Sequence, residues 1–285
     1  MEFQREYATS WKQVIRNPTG VRGRARQLFR DIALRALGAV QPSCNGRFLK
    51  ALFCHYVFDD QRAAFEMMIR ALTQLGEFVN TNTCIDMVTG KREIDGRYFH
   101  LSFDDGFRNV ATNAVPILSK YNIPAIVFVP TAFVGGNWST SRQLCMKKAR
   151  YKAPIETVKW SDLERMVSLG FEVGSHTKSH ARFSAISADP ALLLDEIAGS
   201  KQQIEHELGV ECKYIAWPYG TRLDSDRASL SMVKEAGYRG CFGGFRGSIV
   251  PSKTNVYCVP RHHFEVQWPL SHIKYFLCTS GRYPE

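Results

Sequence analysis

The sequence contains no Cys-x-x-Cys pair, and its eight cysteines (Cys44, Cys54, Cys84, Cys145, Cys212, Cys241, Cys258 and Cys278) are widely scattered. That excludes a thiolate zinc site of the usual spacing and a small disulfide scaffold, leaving reduced, mostly buried thiols as the expectation. No apolar run approaches the roughly 20 residues needed to span a bilayer. The first thirty residues, with Glu2, Arg5, Lys12, Arg16, Arg22, Arg24, Arg26 and Arg30, lack the apolar core of a signal peptide. A cytoplasmic chain is therefore expected. There is no internal repeat, no low-complexity tract and no aromatic-plus-basic motif of a standard nucleic-acid module, so a specific nucleic-acid role is not expected.

What is present is a chain of 285 residues that is 45% hydrophobic and carries a net charge of +10. This length suits one domain of barrel size or two ordinary ones. The charge would suit nucleic acid, an anionic membrane surface or an acidic glycan, and it selects none of them. Residues 21–40 read as an amphipathic basic helix: Leu28, Phe29, Ile32 and Leu37 share one face, and Arg22, Arg24, Arg26, Arg30 and Arg35 enrich the rest. Such a helix either lies on an anionic membrane surface or packs on the outside of the main domain, and both readings stay open. The expected organisation is a basic helical extension over 1–46 and a main domain over 47–285.

From Phe48 onward the hydrophobic period alternates between two and 3.6. Strands are expected at Phe48 to Val57, Glu77 to Val79, Tyr98 to Phe103, Pro124 to Val129, Phe171 to Ser175, Tyr214 to Trp217, Gly240 to Phe242 and Val256 to Val259. Helices are expected at Gln61 to Leu75, Asn109 to Lys120, Ser161 (as N-cap) to Gly170, Pro190 to Leu208, Ser225 to Ala236 and Leu270 to Leu277. Strand and helix alternate about seven times, which implies an α/β fold of parallel strands joined by crossover helices, a closed or nearly closed (β/α) barrel. Residues Gly135 to Val158 are too long and too polar for an ordinary connection. They are expected to form a flap over the strand ends.

Two stretches carry chemistry. In Ser102-Phe103-Asp104-Asp105-Gly106 two carboxylates leave a strand end together, where barrel enzymes build their sites; as a bare pattern it is also an ordinary turn. In His176-Thr177-Lys178-Ser179-His180 the two imidazoles would face the same way on a helical turn and reach one cation. Asp105 could complete a two-His, one-carboxylate face that leaves positions free for water and substrate.

Ser-Phe-Asp-Asp-Gly, then His-Thr-Lys-Ser-His, then Trp217-Pro218-Tyr219-Gly220, in that order, resemble the metal-dependent polysaccharide deacetylases, the carbohydrate esterases that include chitin and peptidoglycan deacetylases. The resemblance covers about Phe48 to Phe264. It implies a distorted (β/α) barrel with about seven strands that removes an N-acetyl group from an amino sugar. On this sequence it makes Asp104 the general base, Asp105, His176 and His180 the ligands of a divalent ion such as zinc, and the Tyr219 N–H part of an oxyanion hole. Two departures narrow the branch. Many members carry an arginine two residues before the proline, where this sequence has Ala216, and the usual C-terminal Leu-x-His is not evident.

Both departures resemble the poly-N-acetylglucosamine deacetylase branch, in which a histidine from an early Tyr-His strand supplies the acid. Here Cys54-His55-Tyr56 stands in that place, so His55 is the favoured acid, with His262 and His263 as alternatives. Arg261 either supplies the missing positive charge or is a surface arginine. The implied substrate is an N-acetylated surface glycan or its precursor, including a lipid-linked glycan. A two-His, one-carboxylate iron oxygenase and a catalytically inactive glycan-binding barrel are the rival readings; the spare Asp104 argues against the first and the intact motif residues against the second.

Overall fold

Short runs of β-branched and aromatic residues, buried on both faces as in a parallel sheet covered by helices, make up the centre of the molecule. The structure is a computed structural model that describes residues 6–15, 29 and 46–279. Its strands are β1 (Phe48–Cys54), β2 (Glu77–Phe78), β3 (Arg97–Phe103), β4 (Ile126–Val129), β5 (Glu172–Ser175), β6 (Tyr214–Ala216), β7 (Gly240–Phe242) and β8 (His262–His263). They run in the order β7-β6-β5-β4-β3-β1-β8, with β2 beside β3, and every pair is parallel. Leu52 pairs with His262 while Val259 bridges Phe242. The last segment thus touches both ends of the strand path, and the sheet curls into a distorted barrel.

Alternation along each strand separates two cores. In β4, Ile126 and Phe128 join Tyr98, Tyr214 and Phe242 in one cluster, whereas Val127 and Val129 join Phe99, Leu101 and the helical residues Phe65, Met68 and Leu72 in the larger one. The helix Thr81–Thr89, capped by Asn80 and closed by Gly90 in the left-handed conformation, closes the N-terminal end of the sheet. Its Ile85 and Val88 join the first cluster, and Thr81 reaches Glu172 and His100. This helix was absent from the sequence reading.

Several expectations change in detail. Val256 to Val259 is not a strand; only Val259 makes a bridge, and the last strand is His262–His263. The helix expected to be capped by Ser161 is capped two residues earlier, at Lys159, because Asp162 turns back to accept the Lys159 N–H at 3.0 Å. The basic helix of residues 21–40, and any membrane contact through it, lies outside the described residues. Residues ahead of that segment do pack on the barrel: Val14, on the short helix Trp11–Val14, is buried with Leu144, Cys145 and Ile155 of the 135–158 segment, and its carbonyl accepts from Lys152 N at 3.1 Å. Among the described residues no helix is long and apolar enough to cross a membrane, and no disulfide forms.

Candidate active site

Most of the residues singled out from the sequence follow the C-terminal end of a strand, so the barrel gathers them at one mouth; Arg261 instead precedes β8, which His262 and His263 form. Asp104 and Asp105 follow β3, His176 follows β5, Trp217 to Gly220 follow β6, and His55 follows β1. Asp105, His176 and His180 meet with all three donor atoms within 4.8 Å of one another. Nε2 of His176 and of His180 stand 3.4 and 3.1 Å from the Asp105 Oδ1. The two histidines do not sit on a helical turn, as their spacing suggested. Thr177 and His180 have φ of 63° and 58°, left-handed values that are costly for a β-branched threonine.

The loop is held in that shape from several sides. Ser175 Oγ accepts from Thr177 N, Thr177 Oγ1 accepts from Ala181 N, and the buried Glu196 accepts from Ser179 N. His176 Nδ1 lies 2.7 Å from the Ala216 carbonyl, which makes Nδ1 the protonated nitrogen and leaves the Nε2 lone pair directed at Asp105. Oδ1 of Asp105 is buried without a hydrogen-bond partner. A buried carboxylate oxygen with no hydrogen bond, facing two imidazole nitrogens, is a costly arrangement that a cation relieves. Two imidazoles and one carboxylate are also the donor set of an open divalent site. The residues therefore fit a divalent ion.

Asp104 has a different partner. Arg261 is wholly buried, against 3% exposure for Asp104, and grips it with both arms: Nη1 to Oδ1 and Nη2 to Oδ2, each 2.7 Å. Its remaining donors reach Gly243 O at 2.7 Å and Ser102 Oγ at 3.0 Å, and its plane lies 4.3 Å from the Phe53 ring centroid. Burial alone would raise the Asp104 carboxyl, but the Arg261 guanidinium, with His176 behind it, brings it below its ordinary value. The reading of Arg261 as a surface residue is thereby overturned. A positive charge thus stands against Asp104 although position 216 is an alanine.

Tyr219 and His55 both line the same cleft, of about 320 Å³, with Phe53, Tyr151, Trp217 and His263. Tyr219 is left-handed at φ 65°. Its N–H has no acceptor among the described residues. Gly220 is required beside it, because a Cβ there would meet Gly244 N at 2.4 Å. His55 lies 5.2 Å from the His263 ring, and burial pushes its pKa down against the pull of Asp105. His263 Nε2 is 3.3 Å from Glu265, a half-buried carboxylate that Tyr56 also bonds. His262 is turned away toward Gly247 O and does not line the cleft.

Comparison with known proteins completes the description. The family profile for polysaccharide deacetylases matches residues 77–241, more than half of the chain. The chain belongs to the polysaccharide deacetylase family. Within it, the poly-beta-1,6-N-acetyl-D-glucosamine N-deacetylase of Staphylococcus aureus strain MSSA476 is 27% identical over 175 residues, covering 60% of this chain and 56% of that protein. The chain thus matches little more than half the length of this curated relative. IcaB from Ammonifex degensii superposes with a TM-score of 0.67 at 23% identity, covering 81% of this chain and 98% of that one. The Streptococcus pyogenes deacetylase PplD, solved in complex with acetate, gives 0.65 at 16% identity, with 80% and 97% covered. These two likenesses establish the fold. The family recognised from three motifs is the family found.

Proposed function

We propose that this family member is a metal-dependent hydrolase that removes the N-acetyl group of an amino sugar in a surface glycan or its precursor. The observation that carries the reading is the separation of the two adjacent carboxylates, one turned to the histidine pair and the other clamped by Arg261 in the same cleft. That division suits one ligand and one base. The curated relative named for N-deacetylation of poly-β-1,6-N-acetylglucosamine supports an N-acetylhexosamine substrate.

Asp105, His176 and His180 would hold the ion, and two imidazoles with a carboxylate suit zinc. When bound, a divalent ion supplies Lewis acidity that polarises an amide carbonyl and brings the pKa of water from 15.7 toward ~7. Asp104 accepts the proton of the attacking water, and Arg261 keeps its carboxylate ionised and aimed. The water oxygen bonds to the acetyl carbon. The free Tyr219 N–H is directed to receive the developing oxyanion, and one such donor is worth about 10²–10³ in rate. As the carbon–nitrogen bond breaks, His55 gives its proton to the departing nitrogen, leaving acetate and a free amine. Phe53, Tyr151 and Trp217 present apolar faces for the sugar ring and limit bulk water.

The iron-oxygenase alternative has no use for a second carboxylate held by a buried arginine. An inactive glycan-binding barrel has no use for an ionised one. Acetate release from N-acetylated oligosaccharides should stop on chelation and return with zinc. Asp104→Asn should keep the metal while kcat falls by about 10²–10⁴. Near-normal turnover by that variant would place the base elsewhere.

A further inference from the structure

Beside two residues of the cleft lining runs a basic stretch that takes no part in the catalysis proposed above. Four of the six residues 147–152 (Lys147, Lys148, Arg150 and Lys152) are basic, and none is acidic. They surround Ala149 and Tyr151, both of which line the cleft. The strap is tied to the oxyanion loop, since Tyr219 Oη donates to Lys148 O at 3.4 Å. On the facing loops, the Arg182 guanidinium lies 3.9 Å from the Tyr219 ring centroid and Arg222 lies 4.7 Å from that of Phe245. Lys147, Lys148, Arg150, Lys152 and Arg222 make no ion pair with the described residues. Two carboxylates by these loops have partners of their own: Asp224 is buried against Arg182, and the half-buried Glu265 faces His263 and Tyr56.

From this arc we infer that the substrate carries an oxyanion, a phosphate or a carboxylate, on or next to the sugar that loses its acetyl group. The inference rests on the deacetylase reading and narrows its substrate class. A neutral poly-N-acetylhexosamine offers nothing for these charges to meet. Unpaired cations flanking a cleft raise the local concentration of an anionic ligand, and guanidinium forks match phosphate and carboxylate geometry. The same field acts on the product. Hydrolysis turns a neutral amide into an ammonium group, which the arc repels, so each deacetylated sugar is driven from the mouth.

The test compares acetate release by the zinc-loaded full-length protein from three N-acetylglucosamine compounds of equal size: one neutral, one with a phosphate diester and one with a neighbouring uronic acid. At low ionic strength, kcat/KM should favour one or both anionic compounds by about 10-fold or more, shrinking with added salt. The phosphate and uronate arms distinguish the source of the charge. In the triple variant Lys147→Glu, Arg150→Glu, Lys152→Glu, the anionic-to-neutral ratio should fall by at least about 10-fold. Equal kcat/KM for neutral and anionic compounds, or an unchanged ratio in the variant, overturns the inference and leaves the deacetylase reading standing. If no compound is turned over, that reading fails, and equilibrium binding of the same compounds decides the inference: salt-sensitive preference for the anionic ones supports it, and equal affinity overturns it. Binding confined to anionic lipid vesicles, with no preference among the sugars, also overturns it.

Discussion

Arg261 and Asp104 stand 157 positions apart in the chain and form one buried unit. Removing one partner of such a pair leaves an unpaired buried charge, which costs about 3–5 kcal/mol, so the two are interdependent. The aspartates and histidines were legible because their chemistry sits in short motifs. The Arg261 contact was not, because a guanidinium that reaches across the barrel leaves no local pattern. The proton donor is likewise a matter of single residues. His262 was one alternative, and its side chain points away from the cleft; His55 and His263 both face it. An acid must be protonated to act, so the rate should fall as pH rises through its pKa. Burial lowers that of His55, so this alkaline limb should begin no higher than about pH 6.5. His55→Gln should retain metal and fold while losing both kcat and the limb. A limb that persists there and vanishes in His263→Gln would assign the acid to the last strand.

At the scale of elements, most strands were readable because each is a short run dominated by apolar residues between turn residues; the last, His262–His263, is polar and was not read. The helix Thr81–Thr89 was missed despite its signals: an Asn80 cap, Cys84, Ile85 and Val88 on one face, and Gly90 at its end. The loop from His176 to His180 failed for a different reason. Its spacing allows a helical turn, but contacts from Ser175, Glu196 and the Thr131 amide impose left-handed residues instead. The contacts from Glu196 and Thr131 come from elsewhere in the fold, and no local propensity reports them. Thr177→Gly tests the purpose of that strain. Glycine accepts φ 63° freely, which relieves about 1–3 kcal/mol. The lost Oγ1 bond to Ala181 and the greater freedom of the unfolded chain oppose the gain. Net stability should change by less than about 1 kcal/mol, while zinc affinity, measured by calorimetry, should fall about 10-fold or more as the ligands lose their fixed spacing. Unchanged affinity would mean that the loop geometry plays no part in holding the ligands.

For the whole molecule, the barrel that focuses chemistry at its mouth also buries histidines in its interior, and this sets how the fold meets acid. His100 stacks on Phe242 inside the barrel, and burial, with Arg261 adding repulsion, lowers its pKa to about 3. His262 is likewise pushed to about 3 by burial and by Lys50. Unfolded, each would titrate near 6.5. Between those values the unfolded chain binds protons that the native state refuses, so stability is complete above about pH 6.5 and drains as pH falls toward 3. Each histidine contributes up to about 1.4 kcal/mol per pH unit, so the pair would remove about 5 kcal/mol by pH 4.5, a large share of the 5–15 kcal/mol of an ordinary domain. Urea midpoints of the metal-free protein from pH 8 to 4.5 should trace that decline. His100→Phe keeps the stacking surface on Phe242 and leaves the Thr81 hydroxyl its bond to Glu172, but removes one titrating site, so its slope below pH 6.5 should be visibly shallower than that of the parent. Parallel slopes in the two proteins would show that His100 accepts its proton in the native state and that the acid sensitivity arises elsewhere.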